Sequence, residues 1–373
     1  MNEKDSYTPD WVPEDAGDAF AVTVKKGVDP KSTVKKVSRK PQVKRTQLST
    51  DDYVEGVLKN DKTILGRTIT LIESNSSVHY DKAREVLKRL LPHTGKSLRI
   101  GITGVPGAGK STLIETLGCN LIEQGHKVAV LAVDPSSSVT RGSILGDKTR
   151  MEKLSREPLC FIRPSPSGGT LGGVTRKSRE TVLVCEAAGY DVIIIETVGV
   201  GQSEITVRSM VDFFLLVMIA GAGDELQGIK KGVIEIADAL VVNKADGLNK
   251  NKALMARNEY AMALKYLAPA TMGWETRAHT CSALTGEGVP EAWKIIKTFE
   301  KMTKESGVFS ERRKSQSVEW VTSMIEDYLK ESFYNNPHVM EQFPGVKEAI
   351  LAEKMLPTTA AEMLLKTFFE AKR

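Results

Sequence analysis

A short glycine-rich segment carries the clearest chemistry in the sequence. Glycine backbones adopt dihedral angles that other residues avoid, so successive N–H groups can turn toward an anion at a helix N-terminus. The spacing predicts that Lys110 reaches the terminal phosphates of a nucleotide and that Ser111 offers its hydroxyl to Mg²⁺. The predicted nucleotide-binding segment consists of Gly104, Val105, Pro106, Gly107, Ala108, Gly109, Lys110, Ser111 and Thr112.

A chance match in a glycine-rich turn is the alternative interpretation of this segment. Residues 98–103 before it form an apolar run that is typical of a strand, and residues 113–118 after it have helical spacing. A phosphate-binding loop requires that order of elements, whereas a chance match does not. The flanking patterns therefore favour a nucleotide site.

A second motif, Asn243-Lys-Ala-Asp246, follows another apolar run. At this spacing the Asp246 carboxylate can accept hydrogen bonds from guanine N1–H and N2–H₂, a donor pair that adenine lacks. A buried carboxylate would stay unpaired against ATP, so the motif predicts GTP specificity. We expect Asn243 to brace the neighbouring loops and the stem of Lys244 to lie along the base. The same four residues also occur by chance in solvated turns.

Three further residues are predicted to form a companion loop around the guanine. A backbone N–H in this loop would meet the guanine O6 atom. The residues are Ser282, Ala283 and Leu284, and they only corroborate the second motif.

Three carboxylates are candidates for the metal side of the site, where phosphoryl transfer needs charge neutralisation opposite Lys110. Glu196 follows four apolar residues, at a position where a carboxylate holds Mg²⁺ directly or through water. Asp134 ends the apolar run after the phosphate-loop helix, and Asp147 lies in a polar, glycine-bearing loop suited to order on nucleotide binding. The alternatives are a helix cap for Asp134 and an ordinary surface charge for Asp147.

Two glycine-bearing loops are predicted to change with the bound nucleotide. Gly199 stands at the spacing of a γ-phosphate sensor, but Val200 rather than glutamine follows it, so we expect slow intrinsic hydrolysis. The second loop, residues 221–232, is long for a connection between a strand and a helix, although an ordinary connection is the alternative. The predicted switch residues are Gly199, Gln202, Glu204, Asp224, Glu225, Gln227, Lys230 and Lys231.

Alternating apolar and helical patterns predict the fold class. We expect an α/β fold of the P-loop NTPase type, with a doubly wound, mostly parallel sheet and helical extensions at both ends. Predicted strands cover 127–133, 191–196, 213–219, 239–243 and 278–281, and predicted helices cover 181–188 and 253–267. The predicted domains are a mostly disordered basic extension (1–50), an N-terminal helical segment (51–95), a nucleotide domain (96–305) and a C-terminal helical dimerisation segment (306–373).

Composition excludes several classes of protein. The chain of 373 residues has a formal net charge of +5, yet residues 25–45 alone hold nine Lys or Arg against one Asp. The positive charge therefore belongs to a short segment, and neither a nucleic-acid partner nor a membrane is predicted. The apolar runs fall short of a membrane span, and the first residues do not resemble a secretory signal. We expect a cytoplasmic protein with four reduced, structural cysteines.

Together these motifs closely resemble the methylmalonyl-CoA mutase-associated GTPases of the MeaB/ArgK type, within the SIMIBI class of P-loop GTPases. The resemblance runs from about residue 51 to the C-terminus. Besides the phosphate loop, it rests on Val133-Asp-Pro-Ser-Ser137, Gly142-Ser-Ile-Leu-Gly-Asp-Lys-Thr-Arg-Met151, Arg163-Pro-Ser-Pro-Ser167, Gly169-Thr-Leu-Gly-Gly173, Glu196-Thr-Val-Gly-Val-Gly-Gln-Ser-Glu204 and Gly223-Asp-Glu-Leu-Gln-Gly-Ile-Lys-Lys-Gly232.

The resemblance implies a metallochaperone that binds GTP/GDP and gates delivery of adenosylcobalamin to methylmalonyl-CoA mutase, which it also protects or reactivates. By position it implies Lys110, Asp134, Asp147 and Glu196 as the catalytic and Mg²⁺ set, with residues 223–232 as a switch that reports to the mutase. It implies weak intrinsic activity that the partner raises, and it admits cobalamin adenosyltransferase as a further partner. The basic extension before residue 50 is longer than the family leads us to expect.

The C-terminal segment indicates assembly. Val318, Val321, Ile325, Tyr328 and Leu329 recur at helical spacing, and a second stripe holds Met363, Leu364, Phe368 and Phe369. An intramolecular core is the alternative explanation of both stripes. Members of the resembled family dimerise through C-terminal helices, which favours a homodimer.

Two other functions remain open from the sequence. A maturation GTPase for another acyl-CoA mutase or for a nickel enzyme is one, although five scattered histidines and four isolated cysteines offer no metal-ligand pattern. A transport-associated ATPase is the other, and the guanine motif opposes it.

Overall fold

The computed structural model describes two units of the chain, Met1–Gln47 and Leu48–Arg373. In the first unit it describes only β1 (Ser6–Tyr7) and β2 (Val22–Thr23), which pair antiparallel. In the second unit it describes residues 48–74, 76–133, 151–165, 171–197, 203–221 and 231–370. Most of the predicted basic extension lies outside the described residues.

A seven-stranded, all-parallel sheet forms the centre of the second unit, and it confirms the predicted fold class. Its spatial order is β5-β4-β6-β3-β7-β8-β9. The strands up to β6 lie on one side of β3 and the later strands on the other, so the crevice for a ligand opens above the carboxyl end of β3. The strands are β3 (Leu98–Gly104), β4 (Val128–Val133), β5 (Cys160–Ser165), β6 (Val192–Thr197), β7 (Phe213–Ile219), β8 (Ala239–Asn243) and β9 (Arg277–Thr280).

Helices connect and extend the strands. They are α1 (Thr50–Leu58), α2 (Lys62–Glu73), α3 (Ser77–Leu90), α4 (Lys110–Glu123), α5 (Glu152–Arg156), α6 (Leu171–Ala187), α7 (Ser203–Arg208), α8 (Lys231–Glu235), α9 (Lys250–Leu264), α10 (Val289–Glu305), α11 (Val308–Tyr334), α12 (Pro337–Leu351) and α13 (Pro357–Glu370). None of the described helices is long and apolar enough to cross a membrane.

The central strands bury both of their faces. Phe214 and Leu216 of β7 join the core beneath α1–α3, α6 and α9, whereas Phe213 and Leu215 join the core beneath α4 and α10. Successive side chains of a strand point to opposite faces, so a strand covered by helices on both sides must be apolar at every position. Because of this requirement, the apolar runs at 213–219 and 239–243 correctly predict the first and last residues of β7 and β8.

Other elements differ from their predicted limits. β5 was absent from the prediction, because Arg163 and Pro164 interrupt its apolar run and because it is an edge strand, where proline is tolerated. α6 begins well before the predicted residue 181, and α9 spans 250–264 rather than 253–267. Asp61 caps the N-terminus of α2, since its carboxylate accepts from the N–H groups of Thr63 and Ile64.

The two C-terminal apolar stripes have different environments. Val318, Val321, Ile325, Tyr328 and Leu329 of α11 are 51–69% exposed. In α13, by contrast, Leu364 and Phe368 are buried in a small separate core with Val339 and Val346 of α12. The alternative of an intramolecular core therefore describes part of the second stripe, whereas the first stripe is exposed in the part of the chain that the structure describes.

Buried ion pairs attach α11 to the amino ends of the strands. Asp212, 1% exposed through its side chain, precedes β7 and accepts two hydrogen bonds of 2.7 Å from the guanidinium of Arg313. The same guanidinium donates to the carbonyls of Gly95 and Ser97. Next to this pair, Arg312 lies 3.5 Å from Asp238, the residue before β8. Two adjacent arginines thus hold the long helix against the sheet.

We predict that Arg313→Met destabilises the protein by about 3 to 5 kcal/mol, because a buried carboxylate that loses its charged partner is left uncompensated. Urea unfolding followed by circular dichroism measures the change. The matched control is Lys314→Met, whose side chain is exposed and pairs only with exposed Glu311. Equal shifts of the urea midpoint in the two variants would contradict the structural role of Arg313.

Candidate functional site

The predicted phosphate-binding segment connects β3 to α4 in a conformation that needs its glycines. Gly104, Gly107 and Gly109 have φ values of 152°, 77° and 85°, which side chains rarely allow. Packing adds a second reason at both ends of the segment. A Cβ atom on Gly104 would lie 2.0 Å from the carbonyl oxygen of Val217, and one on Gly109 would lie 2.6 Å from Nδ2 of Asn243.

Lys110 is the first residue of α4, and its ammonium lies inside the loop. Its side chain is buried, and Nζ donates to the carbonyls of Gly104 and Val105 at 3.0 and 3.3 Å. The positive charge therefore sits at the N-terminus of a 14-residue helix, where the helix dipole also favours an anion. The Lys110 ammonium and the backbone N–H groups at the N-terminus of α4 can together bind a phosphate.

Ser111 and Glu196 bring two oxygen ligands together beside Lys110. The hydroxyl of Ser111 donates to Oε1 of Glu196 at 2.8 Å, and Glu196 is 8% exposed near the end of β6. Hydroxyl and carboxylate oxygens are the hard donors that Mg²⁺ prefers. This donor set fits Mg²⁺, and a carboxylate that contacts the hydroxyl of Ser111 suits a metal that bridges phosphates.

Asn243, the last residue of β8, joins the two predicted halves of the site. Its Nδ2 donates to the carbonyl of Ala108 at 2.8 Å, and its Oδ1 accepts from the backbone N–H of Ala283 at 2.9 Å. The side chain is 1% exposed. The phosphate loop and the predicted guanine loop are thereby held at one spacing.

Asp246 and Ser282 form the predicted base-binding end. The hydroxyl of Ser282 donates to Oδ2 of Asp246 at 2.6 Å, which orients the carboxylate. Lys244 has a φ of 60°, a left-handed conformation that a non-glycine residue adopts only under strong constraint, and its side chain is exposed. Leu284, the last residue of the predicted companion loop, is 82% exposed.

Three threonine contacts near the site were not predicted from the sequence. Thr197 donates to the hydroxyl oxygen of Thr103 at 2.7 Å, and Thr103 donates in turn toward Glu204 at 3.4 Å, at the start of α7. Thr116 of α4 donates to the carbonyl of Ala283 at 2.7 Å. Thr103 and Thr197 are polar residues at the ends of apolar runs, and this pattern could have identified them as candidate site residues.

Most of the predicted switch residues and two of the predicted metal-side carboxylates lie outside the described residues. Glu204 is described and buried, and Lys231 begins α8. The remaining carboxylates and switch residues lie outside the described residues, so their predicted roles stay predictions: Asp134, Asp147, Gly199, Gln202, Asp224, Glu225, Gln227 and Lys230.

Comparison with known proteins gives consistent matches over most of the chain. A family model described as "Methylmalonyl Co-A mutase-associated GTPase MeaB" matches residues 65–338. GTPase ArgK of Escherichia coli is 45% identical over 313 residues, which cover 84% of this chain and 95% of that protein. The mitochondrial methylmalonic aciduria type A homolog of Mus musculus is 43% identical over 334 residues, 87% of this chain and 80% of that protein.

A solved structure extends the agreement to three dimensions. The crystal structure of a LAO/AO transport system kinase superposes with a TM-score of 0.70 at 38% identity and covers 85% of this chain and 96% of that one. The arrangement of strands and helices is therefore shared with a relative of similar length.

We predict that Asp246→Asn weakens GTP binding by about 10- to 100-fold, the value of a hydrogen bond to a charged group. The new amide offers an N–H donor, which suits the C2 carbonyl of xanthine, so xanthosine triphosphate should bind better to the variant than to the wild type. Titration with fluorescent nucleotides measures both affinities. Glu287→Gln is the control, since this exposed carboxylate pairs with Lys250. Unchanged GTP affinity in Asp246→Asn would remove Asp246 from the site.

Proposed function

Because the chain belongs to the family of methylmalonyl-CoA mutase-associated GTPases of the MeaB type, we propose that it couples GTP hydrolysis to the supply of adenosylcobalamin to methylmalonyl-CoA mutase. The proposal that the chain binds a guanine nucleotide rests on one observation. The Asn243 side chain forms hydrogen bonds with both the phosphate loop and the loop that contains Ala283. A nucleotide has a base and a triphosphate at a fixed separation, and this side chain holds two matching loops at one separation.

The phosphate loop would bind the triphosphate through its N–H groups and Lys110. In this proposal the Lys110 ammonium exchanges its bonds to two backbone carbonyls for bonds to the β- and γ-phosphates. Charge-assisted bonds to phosphate are stronger than bonds to neutral carbonyls, so the exchange is favourable. Lys110 thus serves as the charge that senses a triphosphate.

Ser111 and Glu196 would hold Mg²⁺, with Asp134 and Asp147 completing the proposed catalytic and metal set. The ion supplies charge neutralisation on the β- and γ-phosphate oxygens. Ser111 and Glu196 hold each other in place at 2.8 Å, so a metal would find this pair already oriented. Val200 stands where a water-orienting glutamine would follow Gly199, which supports slow intrinsic hydrolysis.

The mutase would contact the glycine-bearing loops at 198–204 and 223–232, whose conformation would depend on whether GTP or GDP is bound. The family description names association with methylmalonyl-CoA mutase, and the proposed roles are cofactor gating, protection and reactivation. Cobalamin adenosyltransferase, which would supply the cofactor, is a further proposed partner. The partner raises the slow turnover in this scheme, because its binding would order the loops around the γ-phosphate.

Two alternatives have less support. Another acyl-CoA mutase or a metalloenzyme could be the client, since the nucleotide site itself does not recognise the partner. The solved relative is titled a transport system kinase, but Asn243 and Asp246 argue for guanine rather than adenine in this chain. GTP specificity therefore separates the leading proposal from an ATPase.

We predict that purified methylmalonyl-CoA mutase binds the GTP-loaded chain and raises its GTP turnover. Phosphate release with and without the mutase measures the rate, and co-sedimentation measures binding. Lys110→Ala should lower triphosphate affinity and turnover while the circular dichroism spectrum stays unchanged. If the mutase neither binds nor alters turnover, the coupling proposal fails, and if Lys110→Ala hydrolyses GTP normally, the site assignment fails.

The exposed α11 stripe supports a homodimer through the C-terminal helices, with residues 306–373 as the dimerisation segment. An uncovered row of five large apolar side chains on one helix is unusual for a monomeric surface. The neighbouring apolar groove between α11, α12 and α13, about 900 Å³ in volume, continues this surface at Leu329. A second copy of the chain would cover both.

We predict that Ile325→Glu converts a dimer into a monomer in analytical ultracentrifugation, because a charge placed on a buried apolar interface is left unpaired. Lys301→Gln, at an exposed position of α10, changes the net charge by the same amount and should leave the mass of the assembly unchanged. A monomeric wild type, or a variant that dimerises as tightly as the wild type, would refute this interface.

A further inference from the structure

A cavity of about 520 Å³ opens beside β9, the edge strand of the sheet. It is lined by Ile234 and Glu235 of α8, by the second half of α9 and by residues 267–269 and 275–279. These residues surround the amino end of β9, whereas the phosphate loop follows the carboxyl end of β3 in the same parallel sheet. The cavity is therefore separate from the nucleotide site.

Arg257 of α9 lines this cavity, and it has no hydrogen-bond or ion-pair partner among the described residues. Its Nε atom is buried and has no hydrogen-bond acceptor, and no carboxylate of the described chain lies within ion-pair distance of its guanidinium. Other arginines at this end of the sheet differ, since Arg208, Arg312 and Arg313 each pair with a buried aspartate. A guanidinium has five donors, and folded proteins rarely leave buried ones unmatched.

The other charged groups that line the cavity do not pair with Arg257. Glu275 pairs with Arg277 at 2.7 Å, and both side chains are about 70% exposed. Glu235 is exposed and makes no ion pair with Arg257 or Lys265. Burial lowers the pKa of His279, and the charges of Arg257 and Arg277 lower it further, so its ring is neutral at pH 7. Of the described residues that line the cavity, partly buried Arg257 and exposed Lys265 are therefore the two cations that make no ion pair with a described carboxylate.

The remaining wall is apolar. Ile234, Leu264, Leu267 and Pro269 line the cavity together with small alanines. A volume of this size lies within the range of small-molecule sites, which typically combine apolar walls with a few convergent polar groups. A ligand that matches such a wall carries one anionic group and a short apolar body.

We propose that this cavity is a second ligand site, which binds a small organic anion through Arg257 and Lys265. The anionic group is a carboxylate or a phosphate, since both accept paired bonds from a guanidinium. The apolar body lies against Ile234 and Leu264. A ligand there contacts α8, the helix that follows the 223–230 segment, and so binds next to an element adjoining a predicted switch.

Saturation-transfer NMR on the full chain tests the site with three named probes. Hexanoate and phenyl phosphate represent the two anionic groups, and 1-hexanol is the neutral counterpart. The chain is saturated with GDP and Mg²⁺, so that phosphate-loop binding does not contribute. We expect at least one anion to bind, and the Arg257→Gln variant to bind it about tenfold more weakly.

Two further variants make the result specific. Lys252→Gln removes an exposed charge from the same helix outside the cavity and should leave probe affinity unchanged. Ala261→Phe fills the cavity and should abolish binding while the thermal unfolding midpoint shows that the fold persists. The proposal is overturned if no anion binds, if 1-hexanol binds as well as hexanoate, or if Arg257→Gln and Lys252→Gln bind the anion equally.

Discussion

The candidate site depends on one buried carboxamide. Asn243 donates to Ala108 and accepts from Ala283, so it spans the distance between the loop that follows β3 and the loop that follows β9. Both contacts require close approach, and Gly109 leaves the space that the amide occupies. Loss of either hydrogen bond would leave a buried polar group unpaired. The separation of the two loops is thus set by packing and not by loop length.

The opposite end of the sheet is fixed by charges. Asp212 and Asp238 precede β7 and β8, and each accepts both a backbone N–H of a neighbouring strand and an arginine. A third buried carboxylate, Glu186, accepts two bonds from Arg99 at 2.8 and 2.9 Å, and although burial opposes its ionisation these bonds lower its pKa. These carboxylates connect neighbouring strands at the amino ends of the sheet, and the loops of the candidate site follow the opposite, carboxyl ends.

Local patterns predicted the parts of the fold that local physics determines. β7 and β8 are apolar at every position because helices cover both faces, and the sequence shows their limits directly. The edge strand β5 carries Arg163 and Pro164, so its pairing depends on β4 and leaves no periodic signal. The docking of α11 by Arg312 and Arg313 was also invisible, because a basic pair in a polar helix is usual on a solvated face.

The same division applies to the site. Spacing alone predicts a phosphate loop and a guanine motif, since each is a continuous segment whose residues would act on one ligand. The contacts that position them join residues far apart in the chain, such as Thr116 with Ala283 and Ser282 with Asp246. Such pairs are brought together by the order of the strands, which a single sequence does not specify. Motif spacing therefore indicated the chemistry, and topology decided the geometry.

The short helix α7 shows how closely the two ends of the sheet are connected. Glu204, in its first turn, lies near Thr103 at the carboxyl end of β3, and Arg208, its last residue, reaches Asp238 at the amino end of β8. Gln316 of α11 donates to the carbonyls of Arg208 and Val211. A helix of six residues is only about 9 Å long, so fewer than two helical turns separate these contacts. α7 therefore links the carboxyl end of β3 to the amino end of β8 and to α11.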